Sequence, residues 1–97
     1  MITTKQRSAL RAIAHPIKPL MQLGKGGITE NVLTQAEEHL YNAELVKIKV
    51  LQNADFTARE IANDFANELN ADVVSVIGNI ITLYRYSTKE GITHVEF

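Results

Sequence analysis

Cysteine is absent from this chain, which excludes disulfides and thiolate metal sites and fits a reducing, cytoplasmic compartment. Long apolar runs are absent too: no stretch approaches membrane-spanning length, and Met1 to Arg7 lacks the apolar core of a signal peptide. Aromatics are scarce, and only Tyr84-Arg85-Tyr86 interleaves them with a basic residue. In a strand those tyrosines share a face that Arg85 does not, so core packing is the expectation for at least one of them and base stacking is a minor one. The histidines at 15, 39 and 94 show no metal-ligand spacing, and Ser8, Ser75 and Ser87 sit in no nucleophile context. No metal, no cofactor and no enzymatic activity are expected. Acid is missing from the first stretch of the chain: Met1 to Ile28 contains Lys5, Arg7, Arg11, Lys18 and Lys25 and neither Asp nor Glu.

What is present is the balance of a folded globular chain, 97 residues with 45% hydrophobic and 22% charged. That is enough for one domain, residues 1–97, with a single modest core. The net charge of −1 conceals segregation. Thr29 to Glu44 carries Glu30, Glu37, Glu38 and Glu44 with no cation, and Leu51 to Asp72 sets Asp55, Glu60, Asp64, Glu68 and Asp72 against Arg59 alone.

Periodicity predicts a short helix over Thr4 to Ala14, with Gln6, Leu10, Ile13 and Ala14 as its stripe and Pro16 as its stop. Arg7 and Arg11, four apart, share one flank of it. A strand over Pro19 to Leu23 follows, then Gly24-Lys25-Gly26-Gly27, then a helix from about Glu30 to Asn42 capped by Thr29, with Val32, Leu33, Ala36 and Leu40 inward and Glu37 and Glu38 simply solvated. Leu45 to Leu51 alternates as a half-exposed strand, with Lys47 and Lys49 outward. Thr57-Ala58-Arg59-Glu60 fits a capping box at the head of a third helix, in which Ala58, Ile61, Ala62, Phe65, Ala66 and Leu69 recur at helical spacing. Asp72 to Ile77 and Ile80 to Tyr86 read as strands joined by a tight hairpin at Gly78-Asn79. Beyond Ser87 the chain turns polar, and Thr93 to Phe97 suits either an edge strand or a tail. The fold class expected is α/β: a four-stranded mixed sheet packed with helices, in the order α-β-α-β-α-β-β.

The glycine loop carries the chemistry. Three glycines and Lys25 between a strand and a helix N-terminus bring together backbone N–H groups, a positive helix end and a flexible ammonium, which is an anion site. The spacing is not that of a nucleotide-triphosphate loop or of a dinucleotide fingerprint. A backbone clamp on nucleic acid is the stronger reading.

Lys5-Gln6-Arg7, Leu10-Arg11, Ala14-His15, Lys18-Pro19, Gln22-Leu23-Gly24-Lys25-Gly26-Gly27, Glu44-Leu45-Val46-Lys47-Ile48-Lys49-Val50, Val76-Ile77-Gly78 and Leu83-Tyr84-Arg85 keep an order and spacing that together resemble the YhbY-like CRM (chloroplast RNA splicing and ribosome maturation) domain. The resemblance covers about residues 2 to 87, leaving 88–97 as a C-terminal extension. It implies a fold similar to the C-terminal domain of bacterial translation initiation factor three, and RNA binding. Stand-alone bacterial members are associated with precursors of the large ribosomal subunit. By the same resemblance the RNA-binding residues are Gly24, Lys25, Gly26 and Gly27 in the loop, with Lys5, Arg7, Arg11 and Lys18 on the basic N-terminal surface. Where family members often carry arginine after the Val-Ile-Gly motif, this chain has Asn79, so the hairpin turn is left out of the site. Lys47, Lys49 and Tyr84 are left open.

The partner expected is therefore ribosomal RNA of the large-subunit precursor, with ribosomal proteins as further partners, no membrane, and a monomeric state. The rival reading is a protein-interaction module that docks on a ribosomal protein or assembly factor through Glu37, Glu38, Asp64 and Glu68. A third is an enzyme holding a small phosphorylated ligand in the glycine loop.

Overall fold

Alternation along Leu45–Val50 (β2) puts Val46, Ile48 and Val50 on one face and Leu45, Lys47 and Lys49 on the other, and this strand is the centre of the molecule. The computed structural model describes residues 2–97. β2 pairs in parallel with Met21–Leu23 (β1) and antiparallel with Ile80–Tyr84 (β4), which pairs antiparallel with Asp72–Ile77 (β3). The result is a four-stranded mixed sheet in the order β1-β2-β4-β3. With helices Thr4–Ala14 (α1), Glu30–Ala43 (α2) and Ala58–Leu69 (α3), the element order is the one expected from the sequence.

The two faces of the sheet are covered unequally. Val46, Ile48 and Val50 join Met21, Leu23, Ile81 and Leu83 beneath Ala36 and Leu40 of α2 and Ala62, Phe65, Ala66 and Leu69 of α3. On the opposite face, Leu10 and Ala14 of α1 pack against Leu45, Val74 and Tyr84. A bulge between Val73 and Ser75 lets both Val74 and Ser75 contribute to the α1 side. Because α1 spans only part of this face, Gln22, Lys49 and Ile77 remain exposed beside it.

The expected caps are in place. Thr57 Oγ1 accepts from the Glu60 N–H at 3.2 Å, and Glu60 Oε1 accepts from the Thr57 N–H at 2.8 Å. Thr29 Oγ1 accepts from the Val32 N–H at 3.2 Å. α1 opens with a second capping box, Thr3 with Gln6, so Gln6 closes the helix start instead of lining the apolar stripe. Ile13 is 36% exposed, because α1 meets the sheet through Leu10 and Ala14.

Several other expectations are corrected. β1 begins at Met21, not Pro19, since proline has no N–H for a ladder. β4 ends at Tyr84, not Tyr86: the Arg85 N–H makes one more bond in register, to the Glu44 carbonyl at 2.9 Å, and the left-handed backbone of Glu44 ends the partner strand there. The Arg85 guanidinium donates to Glu37 Oε1 at 2.8 Å and to the Leu69 carbonyl at 2.9 Å, where a cation suits the C-terminal end of α3. Glu37 is thus half of an ion pair joining α2 to α3, not a merely solvated acid, and its hydrogen bond with Arg85 holds its carboxyl below the ordinary carboxylate value. Lys47 is half-buried: its Nζ lies 3.1 Å from the Ala14 carbonyl and 3.5 Å from that of His15, at the negative end of α1.

The C-terminal segment is an irregular strap and adds no strand to the sheet. Its anchor is Glu44, 0% exposed and holding left-handed backbone (φ 66°) at the end of α2. The Glu44 carboxylate accepts from the Ser87 N–H at 2.7 Å and the Val95 N–H at 2.8 Å, and meets His94 Nδ1 at 2.6 Å. Burial alone would raise the Glu44 carboxyl, but these donors outweigh it and hold it below its ordinary value. His94 stacks on Tyr86 with ring centroids 4.2 Å apart, Phe97 meets the buried Tyr84 edge-on at 5.0 Å, and Val95 packs beside Leu10.

Candidate nucleic-acid interface

The glycine loop runs from the end of β1 to the cap of α2. The Gly27 N–H donates to the Gly24 carbonyl at 3.1 Å, closing a tight turn, and Gly27 takes φ 68°. A Cβ at Gly27 would meet Phe56 Cε2 at 3.5 Å in a backbone region that L-residues avoid. Gly24 and Gly26 have no such conformation, and a Cβ there would meet Leu51 Cδ1 at 3.6 Å and Thr29 Cγ2 at 3.7 Å, ordinary contacts. The fold therefore uses glycine's conformational freedom at 27 and not at 24 or 26.

That distinction can be measured. Gly27→Ala is expected to destabilise by about 1–2 kcal/mol, the cost of left-handed backbone with a Cβ. Gly26→Ala should leave stability unchanged or raise it by roughly 0.4–1 kcal/mol. Urea unfolding of the two variants gives the comparison, and equal losses would show that both glycines are structural.

The cations are distributed along the uncovered side of the sheet. Lys25 is exposed in the loop. Lys18 lines an open cleft of about 770 Å³ with Leu20, Gln22, Lys49, Asn79 and Ile80. Ile80 is shared with a tighter cleft of about 250 Å³ between α1 and the sheet, to which Arg11, His15, Lys47, Ser75, Ile77 and Thr82 also contribute. No carboxylate among the described residues lines either cleft. Among the described residues the ion pairs are Arg85 with Glu37 and His94 with Glu44, so Arg11, Lys18, Lys25 and Lys49 have no acidic partner.

Arg7 and Lys5 are placed differently. Arg7 Nε donates to the Val73 carbonyl at 3.0 Å, on the sheet edge opposite β1, and so fastens α1 to β3. Helical geometry turns Lys5 to the side of α1 away from buried Leu10 and Ala14. The two adjoining clefts thus bring Lys18 and Arg11 into one strip along the sheet, while Lys25, Arg7 and Lys5 line neither cleft. Lys49 belongs to the strip as well, and its outward position in an alternating strand was the signal for it. Asn79 is held structurally, its Nδ2 donating to the Val50 carbonyl at 3.3 Å while its own carbonyl accepts from the Val50 N–H at 2.7 Å.

Among the described residues no group of three or more His, Asp or Glu side chains could hold a metal ion, and no helix is long and apolar enough to cross a membrane. The strip offers donors and positive charge, and the glycine loop offers backbone at the positive end of α2; each suits a polyanion.

Comparison with known proteins points the same way. The chain is 39% identical over 89 residues to the Probable RNA-binding protein YqeI of Bacillus subtilis, covering 92% of this chain and 93% of that protein. It is 39% identical over 88 residues to an RNA-binding protein of Haemophilus influenzae, covering 91% and 89%. The solution structure of a hypothetical protein from Staphylococcus aureus superimposes with a TM-score of 0.79 at 42% identity, covering 93% of this chain and 94% of that one. The CRS1 / YhbY (CRM) domain matches residues 2–85. With the motif order, the sheet topology and this match in agreement, the chain belongs to the CRS1 / YhbY (CRM) domain family.

Proposed function

We propose that this protein binds RNA through the glycine loop and the cationic clefts along the sheet, and that the RNA is ribosomal, in precursors of the large subunit, whose assembly the protein assists without catalysing a reaction. It acts as a cytoplasmic monomer. What supports this reading is that Lys18, Lys49 and Arg11 stand at two adjoining clefts, that Lys25 is exposed in a loop whose Gly24 and Gly26 show no conformational need for glycine, and that none of the four has an acidic partner among the described residues. The names of the Bacillus subtilis and Haemophilus influenzae relatives support the RNA partner. The large-subunit target rests on the resemblance to stand-alone bacterial members of the family.

Gly24, Gly26 and Gly27 let the backbone approach the RNA, while Lys25 neutralises a phosphate. Lys18, Lys49 and Arg11 continue the contact along the sheet. Contacts of this kind supply affinity more than sequence choice. With about 4–5 phosphates neutralised, log K should fall with log salt at a slope of roughly −3 to −4 on single-stranded or irregular RNA. Gel shifts with purified ribosomal RNA over a salt series test this, and affinity indifferent to salt refutes it. The protein-docking alternative is weakened at Glu37, which is occupied by Arg85. Association with ribosomal particles that survives RNase digestion would favour docking instead.

A further inference from the structure

We propose that the tighter cleft between α1 and the sheet receives a single unstacked nucleobase, so that this protein holds a base as well as phosphates; the inference rests on the RNA-binding reading above. At about 250 Å³ the cleft is smaller than the roughly 300–1,000 Å³ of drug-sized ligand pockets, and suits one flat heterocycle better than a peptide or a whole nucleotide. Its walls are aliphatic where a base needs apolar faces: Ala14 on the helix side, Ile77 and Ile80 on the sheet side.

Its polar groups are those that read base edges. Ser75 and Thr82 each bring a hydroxyl that donates and accepts. Lys47 engages the Ala14 and His15 carbonyls, which leaves one of its three N–H bonds uncommitted. Arg11 and His15 stand at the same cleft, where they can meet the phosphate flanking an inserted base. Two further facts favour a nucleic-acid occupant. The cleft shares Ile80 with the larger cationic cleft, so a strand lying along Lys18 and Lys49 passes its mouth. Large exposed apolar side chains flank the route, with Leu20 60% exposed in the open cleft and Ile77 62% exposed in the tight one. A base can reach such a cleft only from a single-stranded or bulged segment, since pairing and stacking withhold it in a helix. No aromatic side chain lines the cleft, so the base is gripped between aliphatic surfaces and not stacked on a ring.

The test uses the full chain and a short single-stranded oligoadenylate carrying one 2-aminopurine, beside a strand of equal length with its bases removed. The base-bearing strand is expected to bind about fivefold more tightly than the abasic one, as burial of roughly 40 Å² of apolar surface would give. The 2-aminopurine emission is expected to rise on binding as the probe leaves its stacked neighbours. Ser75→Leu, which fills the cleft, should reduce the base-bearing strand to the affinity of the abasic strand and leave the latter unchanged. Ile77→Ser, at an exposed position that carries little folding risk, should do the same in part. Lys25→Ala should weaken both strands alike. Equal binding of the two strands by the unaltered protein, or equal loss on both in the cleft variants, overturns the proposal while RNA binding stands. Binding of ribosomal RNA but of neither strand overturns it as well, and failure to bind any RNA overturns both readings.

Discussion

Replacing Glu44 with alanine is expected to destabilise the protein by about 3 kcal/mol, because it strands buried N–H donors whose loss of a partner costs roughly 1–3 kcal/mol each. The donors are the backbone N–H groups of Ser87 and Val95, and the carboxylate that satisfies them also meets His94. In a domain of this size such a loss lowers Tm by about 12 °C or more. The same change frees the strap, so the Ser87 and Val95 amides should lose protection from hydrogen exchange and the segment after Tyr86 should become sensitive to protease. Glycine at 44 would relieve the left-handed backbone, worth about 1 kcal/mol, yet should still be net destabilising. Unaltered exchange at Ser87 and Val95 in the alanine variant would show that Glu44 does not hold the strap.

The acid side of the stability profile follows from the same group. The folded Glu44 carboxyl lies below its ordinary value, so the stabilisation is fully present above the unfolded value of about 4.3 and is lost as pH falls through the folded one. Glu37 shifts in the same direction through Arg85, but its side chain is 51% exposed and its contribution is screened. Glu44→Gln keeps one acceptor oxygen and cannot titrate. Its stability deficit should therefore narrow as pH drops below about 4, which paired urea titrations across that range would detect.

Changing Lys18, Lys25 and Lys49 together to alanine is expected to weaken RNA binding about 100-fold, with each phosphate contact worth roughly 1 kcal/mol. The salt slope should become shallower by about 2, since three phosphates lose their counter-charge. Stability should hardly move, because none of the three takes part in an ion pair among the described residues. Arg7→Ala should behave in the opposite way. Its guanidinium fastens α1 to the Val73 carbonyl, so its removal is expected to cost about 1 kcal/mol of stability and little affinity. If Arg7→Ala instead weakens binding as much as Lys25→Ala, the RNA surface extends across to the β3 edge.

Arg7 and Lys25 differ in a way that only long-range packing sets. Both belong to the same acid-free segment, and spacing along α1 grouped Arg7 with Arg11 on one flank. Arg7 is nonetheless committed to a carbonyl 66 residues away, a partner that exists only once β3 has packed beside α1. Arg85 and Glu37, 48 residues apart, tell the same story. Glu44 is the extreme case: left-handed helix ends favour glycine or asparagine, as Asn70 illustrates at the end of α3, so a glutamate there carries no local signal. The second capping box, by contrast, is legible locally as Thr3-Thr4-Lys5-Gln6, where Gln6 caps the helix start and does not join the apolar stripe.

The amino-acid order by itself determined the elements, their succession, the glycine turn and the segregation of charge, because helical and strand periods, caps and turn residues act over a few neighbours. Tertiary packing decided which cations are available and which are bound, that α1 covers only part of one sheet face, and that the last residues wrap back onto Glu44. The physical reason is that these outcomes depend on hydrogen bonds and burial between groups tens of residues apart, and such partnerships leave no periodic trace in the chain.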